Sequence, residues 1–129
     1  MSAIERIDPS RYSIAISRDL RMVPIANRQG PPLRTAGLCV GIADMTRDPP
    51  HAGERHPDGD EFIYVLSGRV TVTVDSAPDA CLELRPGEAC IIPKGEWHRV
   101  RLLEPTRLLH ITPGPNGDHR QLQAVRADL

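Results

Sequence analysis

Short apolar runs with a period of two, separated by proline and glycine, limit what this chain can fold into more than any other feature. The 13 prolines and 10 glycines recur at short intervals, which leaves little room for long helices. Between them, apolar residues alternate with polar ones, most clearly where Val70, Val72 and Val74 alternate with threonine and aspartate. This alternation is typical of strands that bury one face. Similar runs lie at 12–17, 38–42, 82–85 and 97–102, and a further apolar stretch lies at 108–112.

The breaks between these runs have the residue chemistry of tight turns. Each contains proline or glycine, and they fall at 30–32, 49–50, 57–59, 67–68, 86–87, 93–95 and 113–115. Many short strands joined by such turns predict an all-β sandwich or barrel. The length of 129 residues is that of one ordinary domain, so we predict a single domain over 1–129. Only the tail after Gly117 has a spacing that allows a short helix.

Charge and cysteine content exclude several classes of function. The formal net charge is -1 with both signs interspersed, so no basic face predicts nucleic-acid binding. The N-terminus lacks the apolar core of a signal peptide, and no apolar run approaches membrane-spanning length. The cysteines, Cys39, Cys81 and Cys90, are odd in number and form no CxxC pair, which argues against a disulfide framework. We therefore expect a cytoplasmic protein with no nucleic-acid or membrane partner.

A first group of chemically active side chains lies at 51–61. Glu54 and His56 are two residues apart, so on an extended chain they point to the same side. Residues 57–59 then form a tight turn, and Glu61 opens the next strand. A hairpin of this kind brings the three side chains to one place.

A second group ends at His98, which follows the turn at 93–95. His98 is in phase with Val100 and Leu102, so we expect it to face the interior of the barrel, where a lone imidazole needs a partner. A metal ion shared with His56 and Glu61 would supply one. Two imidazoles and one carboxylate leave coordination positions open for a substrate or for oxygen.

These two groups resemble the two sequence motifs of the cupin superfamily. The first motif, G(X)5HXH(X)3-4E(X)6G, is matched from its second histidine onward by His56, Glu61 and Gly68. The second motif, G(X)5PXG(X)2H(X)3N, is matched by Gly87, Pro93, Gly95 and His98. Together, the motifs and the strands between them cover roughly residues 35–113.

The sequence departs from the cupin pattern at three positions. Asp48 replaces the opening glycine of the first motif, and Leu102 replaces the closing asparagine of the second. More importantly, Glu54 stands where the first motif has its first histidine, a position that usually supplies a metal ligand. Glu54 can then be a fourth ligand, can support the ligands from outside the coordination shell, or can act as a general base.

The resemblance implies a cupin-type double-stranded β-helix, or jelly-roll barrel, with one divalent transition metal (Fe, Mn, Ni, Zn or Co). It also implies a homodimer and a small-molecule ligand. We predict a metal-dependent enzyme acting on a small oxygenated organic compound, of the dioxygenase, isomerase, epimerase or lyase type. The alternative is a non-enzymatic binding or sensing module, because the fold does not fix the reaction.

Two further histidines have open roles at this point. His51 lies in a proline-rich loop, and we interpret it as a solvated loop residue rather than a ligand; a loop that folds inward would instead bring it to the metal site. His110 lies among apolar residues on both phases of its strand, so its direction is ambiguous; facing inward, it would line the ligand pocket.

Overall fold

The computed structural model describes residues 3–28 and 34–122. Over these residues the chain forms nine strands and no helix, which confirms the predicted all-β class. The strands are β1 (Tyr12–Ile16), β2 (Met22–Ala26), β3 (Gly37–Met45), β4 (Glu54–Arg55), β5 (Glu61–Val74), β6 (Ala77–Leu84), β7 (Ala89–Ile92), β8 (His98–Gly114) and β9 (Asp118–His119). The helix expected after Gly117 is not found up to residue 122, and the rest of that tail lies outside the described residues.

The two longest strands, β5 and β8, form the backbone of the barrel. They pair antiparallel from Phe62 opposite Ile111 to Val74 opposite His98, with irregular register around 65–70. Glu61 and His98 belong to opposite ends of this pairing, yet their side chains lie 3.2 Å apart. The pair must therefore fold back on itself at the irregularity, as β-bulges allow. The fold thereby brings the two ends of the strand pair together around one polar site.

The remaining strands extend this pair into a continuous antiparallel sheet. Its order is β2-β1-β3-β8-β4-β9, while β5 also pairs with β6 and β7. The N-terminal hairpin of β1 and β2 thus lies at one edge, and β2 contains Pro24. An edge strand tolerates proline because one side of it has no ladder hydrogen bonds to lose. That proline is also the reason why the sequence pattern did not predict β2.

The hydrophobic core lies along the inner face of β5 and its neighbours. Ile63 and Val65 alternate on the first half of β5, and Val70 and Val72 alternate on the second half. Leu84, Ile92 and Leu108 complete the cluster of buried apolar residues. Burying one such side chain contributes about 1.5–3 kcal/mol, so this face holds the barrel closed around the polar site.

Gly68 makes the fold-back of β5 sterically feasible. Its φ is +87°, and a Cβ at this position would lie 2.6 Å from Cα of Thr106. Gly87 has a similar φ of +85°, but a Cβ there would meet no atom of the described residues within 4 Å. Comparing an alanine substitution at Gly68 with one at Gly87 therefore distinguishes the cost of the backbone conformation from the cost of a steric clash.

We expect Gly68→Ala to lower the free energy of unfolding well beyond the loss in Gly87→Ala. Both substitutions incur about 1–2 kcal/mol for a left-handed backbone conformation, and Gly68→Ala adds roughly 1–3 kcal/mol for the overlap. Urea unfolding of the parent and both variants measures the difference. Equal losses of stability would show that the strand containing Thr106 shifts to accommodate the added methyl group without a further loss of stability.

No helix long and apolar enough to cross a membrane occurs among the described residues.

Candidate metal centre

Four polar side chains from three neighbouring segments converge at one end of the barrel. Glu54 lies on β4, directly opposite His98 at the start of β8. His56 follows β4, and its carbonyl accepts a hydrogen bond of 3.0 Å from the backbone N–H of Gly95. Glu61 opens β5. We call Glu54, His56, Glu61 and His98 the inner cluster.

The inner cluster is tightly packed. One oxygen of Glu61 lies 3.2 Å from Nε2 of His56, and the other lies 3.2 Å from Nε2 of His98. Oε1 of Glu54 lies 3.5 Å from Nε2 of His98 and 3.7 Å from Nε2 of His56. One ligand atom from each of the four residues falls within 4.8 Å of the others. The cluster can therefore hold a metal ion.

The hydrogen bonding of the two imidazoles fits a metal ion. Nε2 of His56 and Nε2 of His98 are both buried and find no hydrogen-bond partner among the described residues, which is costly for polar atoms in a protein interior. Nδ1 of His98 lies 3.1 Å from the carbonyl oxygen of Glu96, and that oxygen can only accept. Nδ1 therefore carries a proton, so that the neutral form of His98, which a metal ligand must adopt, presents the lone pair of Nε2 to the cluster.

Without metal, the imidazoles of His56 and His98 each bind an additional proton. Burial lowers the pKa of His56, but the carboxylates of Glu54 and Glu61 overcome this effect and raise it to about 9. Burial likewise lowers the pKa of His98, and the same two carboxylates raise it to about 10. Burial would raise the pKa of Glu61, but the two imidazoles lower it to about 2. The pKa of Glu54 is also well below its usual range, because the imidazoles outweigh its burial.

A chain of hydrogen bonds leads from Glu61 to the pocket. The Thr112 hydroxyl donates to Oε2 of Glu61 at 2.7 Å, so its oxygen accepts from Nδ1 of His110 at 2.9 Å. His110 therefore keeps a free lone pair on Nε2. Burial lowers the pKa of His110, against the opposing effect of Glu61. At neutral pH this histidine is an unprotonated acceptor.

A pocket adjoins the inner cluster on the side of Glu54 and His56. His110 and Thr112 also line it, and Arg34 lies at the same opening. This position settles the ambiguous phase of His110, which faces inward. The pocket gives a small molecule access to the inner cluster and to the side chain of His110.

The structure brings together all four residues that the sequence singled out, and it adds two histidines. Nε2 of His51 lies 3.7 Å from Oε2 of Glu54, so the loop that carries His51 folds inward, which is the alternative that the sequence left open. Nε2 of His119 lies 3.2 Å from the same oxygen. Sequence reasoning missed His119 because no motif marks it and because it belongs to a two-residue strand.

Comparison with known proteins agrees with the sequence motifs. Residues 45–112 match the family model described as Cupin domain, and this is just over half of the chain. The chain is 36% identical over 90 residues to the protein SchB of Streptomyces halstedii. That alignment covers 61% of this chain and 62% of SchB, and so less than two thirds of the relative.

Solved structures show the same fold. A Bacillus halodurans protein superposes with a TM-score of 0.53 at 27% identity, covering 68% of this chain and 73% of its own. A cupin-2 domain containing protein from Shewanella frigidimarina superposes with a TM-score of 0.53 at 21% identity, covering 70% and 85% of the two chains.

Proposed function

The chain belongs to the cupin family, and from this premise we propose that it is a metal-dependent enzyme acting on a small oxygenated organic compound. The observation that carries the proposal is the pair of buried Nε2 atoms of His56 and His98, which face two carboxylates and have no hydrogen-bond partner in the part of the chain that the structure describes. We propose that these two histidines, Glu61 and Glu54 hold one divalent transition metal ion. A bound ion would supply Lewis-acid chemistry, polarising a substrate oxygen or lowering the pKa of a hydroxyl group.

The protein residues around the pocket have separate tasks in this proposal. His110 accepts a proton from the substrate at Nε2, since its Nδ1 is engaged with Thr112. Arg34 lies at the pocket opening, where its guanidinium donates to the carbonyl of Gly117. Its other N–H groups suit a negatively charged oxygen of the ligand. Together these groups favour a ligand with an acidic hydroxyl group and a second, anionic oxygen.

Glu54 has a ligand role in this proposal rather than that of a general base. Its lowered pKa makes it a poor proton acceptor, because a base works best with a pKa near the operating pH. Its Oε1 faces the two imidazoles at the distances given above. Of the three roles open to Glu54 from the sequence, the geometry favours that of a fourth ligand.

We expect protein purified without chelator or added metal to contain close to one first-row transition metal ion per chain. Elemental analysis by plasma mass spectrometry, with the protein quantified by amino-acid analysis, measures the ratio. Iron would favour an oxygenase reaction, whereas zinc, nickel, manganese or cobalt would favour isomerase or lyase chemistry. Protein that holds no metal, and takes up none on incubation, would contradict the proposed centre.

We also propose that the protein is a homodimer formed through its N-terminal hairpin. The hairpin presents Leu20, Met22 and Val23 to the surface, and these side chains are 80%, 68% and 54% exposed. Large apolar side chains grouped at the edge of a sheet are typical of an interface. Light scattering on the sample used for elemental analysis tests this proposal, and a monomeric mass would contradict it.

A further inference from the structure

Glu54 belongs to two groups of side chains at once. Its Oε1 faces the inner cluster, whereas its Oε2 faces His51 and His119, which we call the outer histidine pair. The rings of this pair lie 5.0 Å apart between centroids. His51, Glu54 and His119 also meet the spacing required of a metal site by themselves. The outer pair can therefore be a second metal site or a support for Glu54.

The proton positions on the outer pair distinguish these two roles. Nδ1 of His51 accepts a hydrogen bond of 3.1 Å from the backbone N–H of Gly53. Nδ1 of His119 lies 3.4 Å from the guanidinium of Arg34, which can only donate. Both Nδ1 atoms are thus acceptors, and each neutral ring carries its proton on Nε2. A metal ion needs the lone pair of Nε2, so this arrangement opposes a second metal site.

The same proton positions suit a support for Glu54. The Nε2–H groups lie beside Oε2 at 3.7 Å for His51 and 3.2 Å for His119. Their partial positive charge favours negative charge on Oε2 and fixes the rotation of the carboxylate. Oε1 is then left facing His56 and His98. A carboxylate that takes the place of an imidazole ligand needs to be oriented in this way, because metal ligands are generally held in position by neighbouring hydrogen-bonding groups.

The segment that carries His119 is anchored on both sides. Asp118 forms an ion pair with Arg55 at 2.8 Å, and Arg120 forms two bonds to the carboxylate of Asp75 at 2.7 and 3.0 Å. The guanidinium of Arg120 also lies 4.5 Å from the ring centroid of Trp97. Successive residues of a strand point to opposite faces, so these outer contacts direct His119 toward Glu54.

We propose that His51 and His119 are positioning residues that hold Glu54 in place as a metal ligand through their Nε2–H groups. This inference rests on the proposed metal centre. It assigns a function to the C-terminal segment 118–120, which lies outside the residues matched by the Cupin domain model. It also explains how a glutamate serves where the cupin motif has a histidine.

Two substitutions of His119 test the proposal in the full-length chain. His119→Leu removes the N–H group, whereas His119→Gln keeps an N–H donor near the same position. We expect the leucine variant to bind Co²⁺ roughly 10- to 100-fold more weakly than the parent, as is typical for loss of a group that supports a metal ligand. We expect the glutamine variant to bind like the parent. The visible absorption bands of bound Co²⁺ should change in the leucine variant and be restored in the glutamine variant.

The possible results distinguish a failure of the positioning role from a failure of the metal centre itself. One Co²⁺ ion per chain in the parent, with the affinity lost in the leucine variant and kept in the glutamine variant, supports the positioning role. Two ions per chain in the parent, and one in both variants, would overturn it in favour of a second metal site. Unchanged affinity and spectrum in the leucine variant would also overturn it. A parent that binds no Co²⁺ would instead refute the metal centre itself, and the positioning role with it.

Discussion

Replacing His98 with alanine is expected to abolish metal retention while the barrel stays folded. His98 is 1% exposed, and its Nε2 has no hydrogen-bond partner within residues 3–28 and 34–122. Structural zinc sites bind with about 10–16 kcal/mol, which for four ligands is roughly 2.5–4 kcal/mol each. We therefore expect the affinity for Co²⁺ or Zn²⁺ to fall roughly 100- to 1000-fold. Competition with a chelator of known affinity measures this loss, and elemental analysis of the purified variant shows whether any metal remains.

The matched control for this variant is Val72→Ala. Val72 is 5% exposed and lies opposite Val100 on the same pair of strands, so its truncation also leaves a cavity in the barrel. This variant should be less stable but should hold metal like the parent. Should His98→Ala fail to fold, His98→Gln keeps most of the volume while removing the ring. Metal affinity equal to that of the parent in the folded variant would contradict the assignment of His98 as a ligand.

The inner cluster was predictable because each of its residues sits beside a recognisable turn. The turn at 57–59 fixes the hairpin that joins His56 to Glu61, and the turn at 93–95 fixes the start of the strand at His98. The phase of Val100 and Leu102 then indicates which way His98 points. In these segments local alternation and turn chemistry decide the direction of each side chain, and both are visible in the sequence.

The outer histidine pair was not predictable because long-range contacts place it. His119 lies on a strand of two residues, which is too short for alternation to reveal. Its position depends on ion pairs that join residues far apart in sequence, such as Arg120 with Asp75. His51 comes close to Glu54 because the chain around it is hydrogen-bonded to the same C-terminal segment, through Ala52 and Arg120. Contacts of this kind leave no periodic signal.

The same limit applies to the course of β5 and β8. The sequence indicated separate strands at 97–102 and 108–112, whereas the structure has one continuous strand over His98–Gly114. The polar residues between those two apolar stretches hide the continuity, since they lie where the pair folds back. Glu104, for example, lies opposite Arg69 at the irregular part of the pairing. Register in a sheet depends on the partner strand, which the alternation within one strand does not identify.

Metal binding is expected to become about 100-fold tighter for each unit that the pH rises between 6 and 8. The raised pKa values of His56 and His98, about 9 and about 10, mean that both rings are protonated in this range without metal. A metal ion must displace both protons, so its apparent affinity is inversely proportional to the square of the proton concentration. The effect should level off above about pH 10. Glu54 and Glu61 do not contribute, because their lowered pKa values keep them ionised.

Calorimetry in buffers of different ionisation enthalpy measures the displaced protons directly, and we expect close to two per metal ion at pH 7. Two imidazolium groups and two carboxylates make the metal-free cluster neutral, and one divalent ion replaces two protons without changing that charge. The buried centre can therefore stay folded whether or not metal is bound. Release of no protons, with an affinity that is constant between pH 7 and 8, would show that the histidines are neutral in the metal-free protein. The loaded and empty centres would then differ by two units of buried charge, and the metal-free barrel should be markedly less stable than the loaded one.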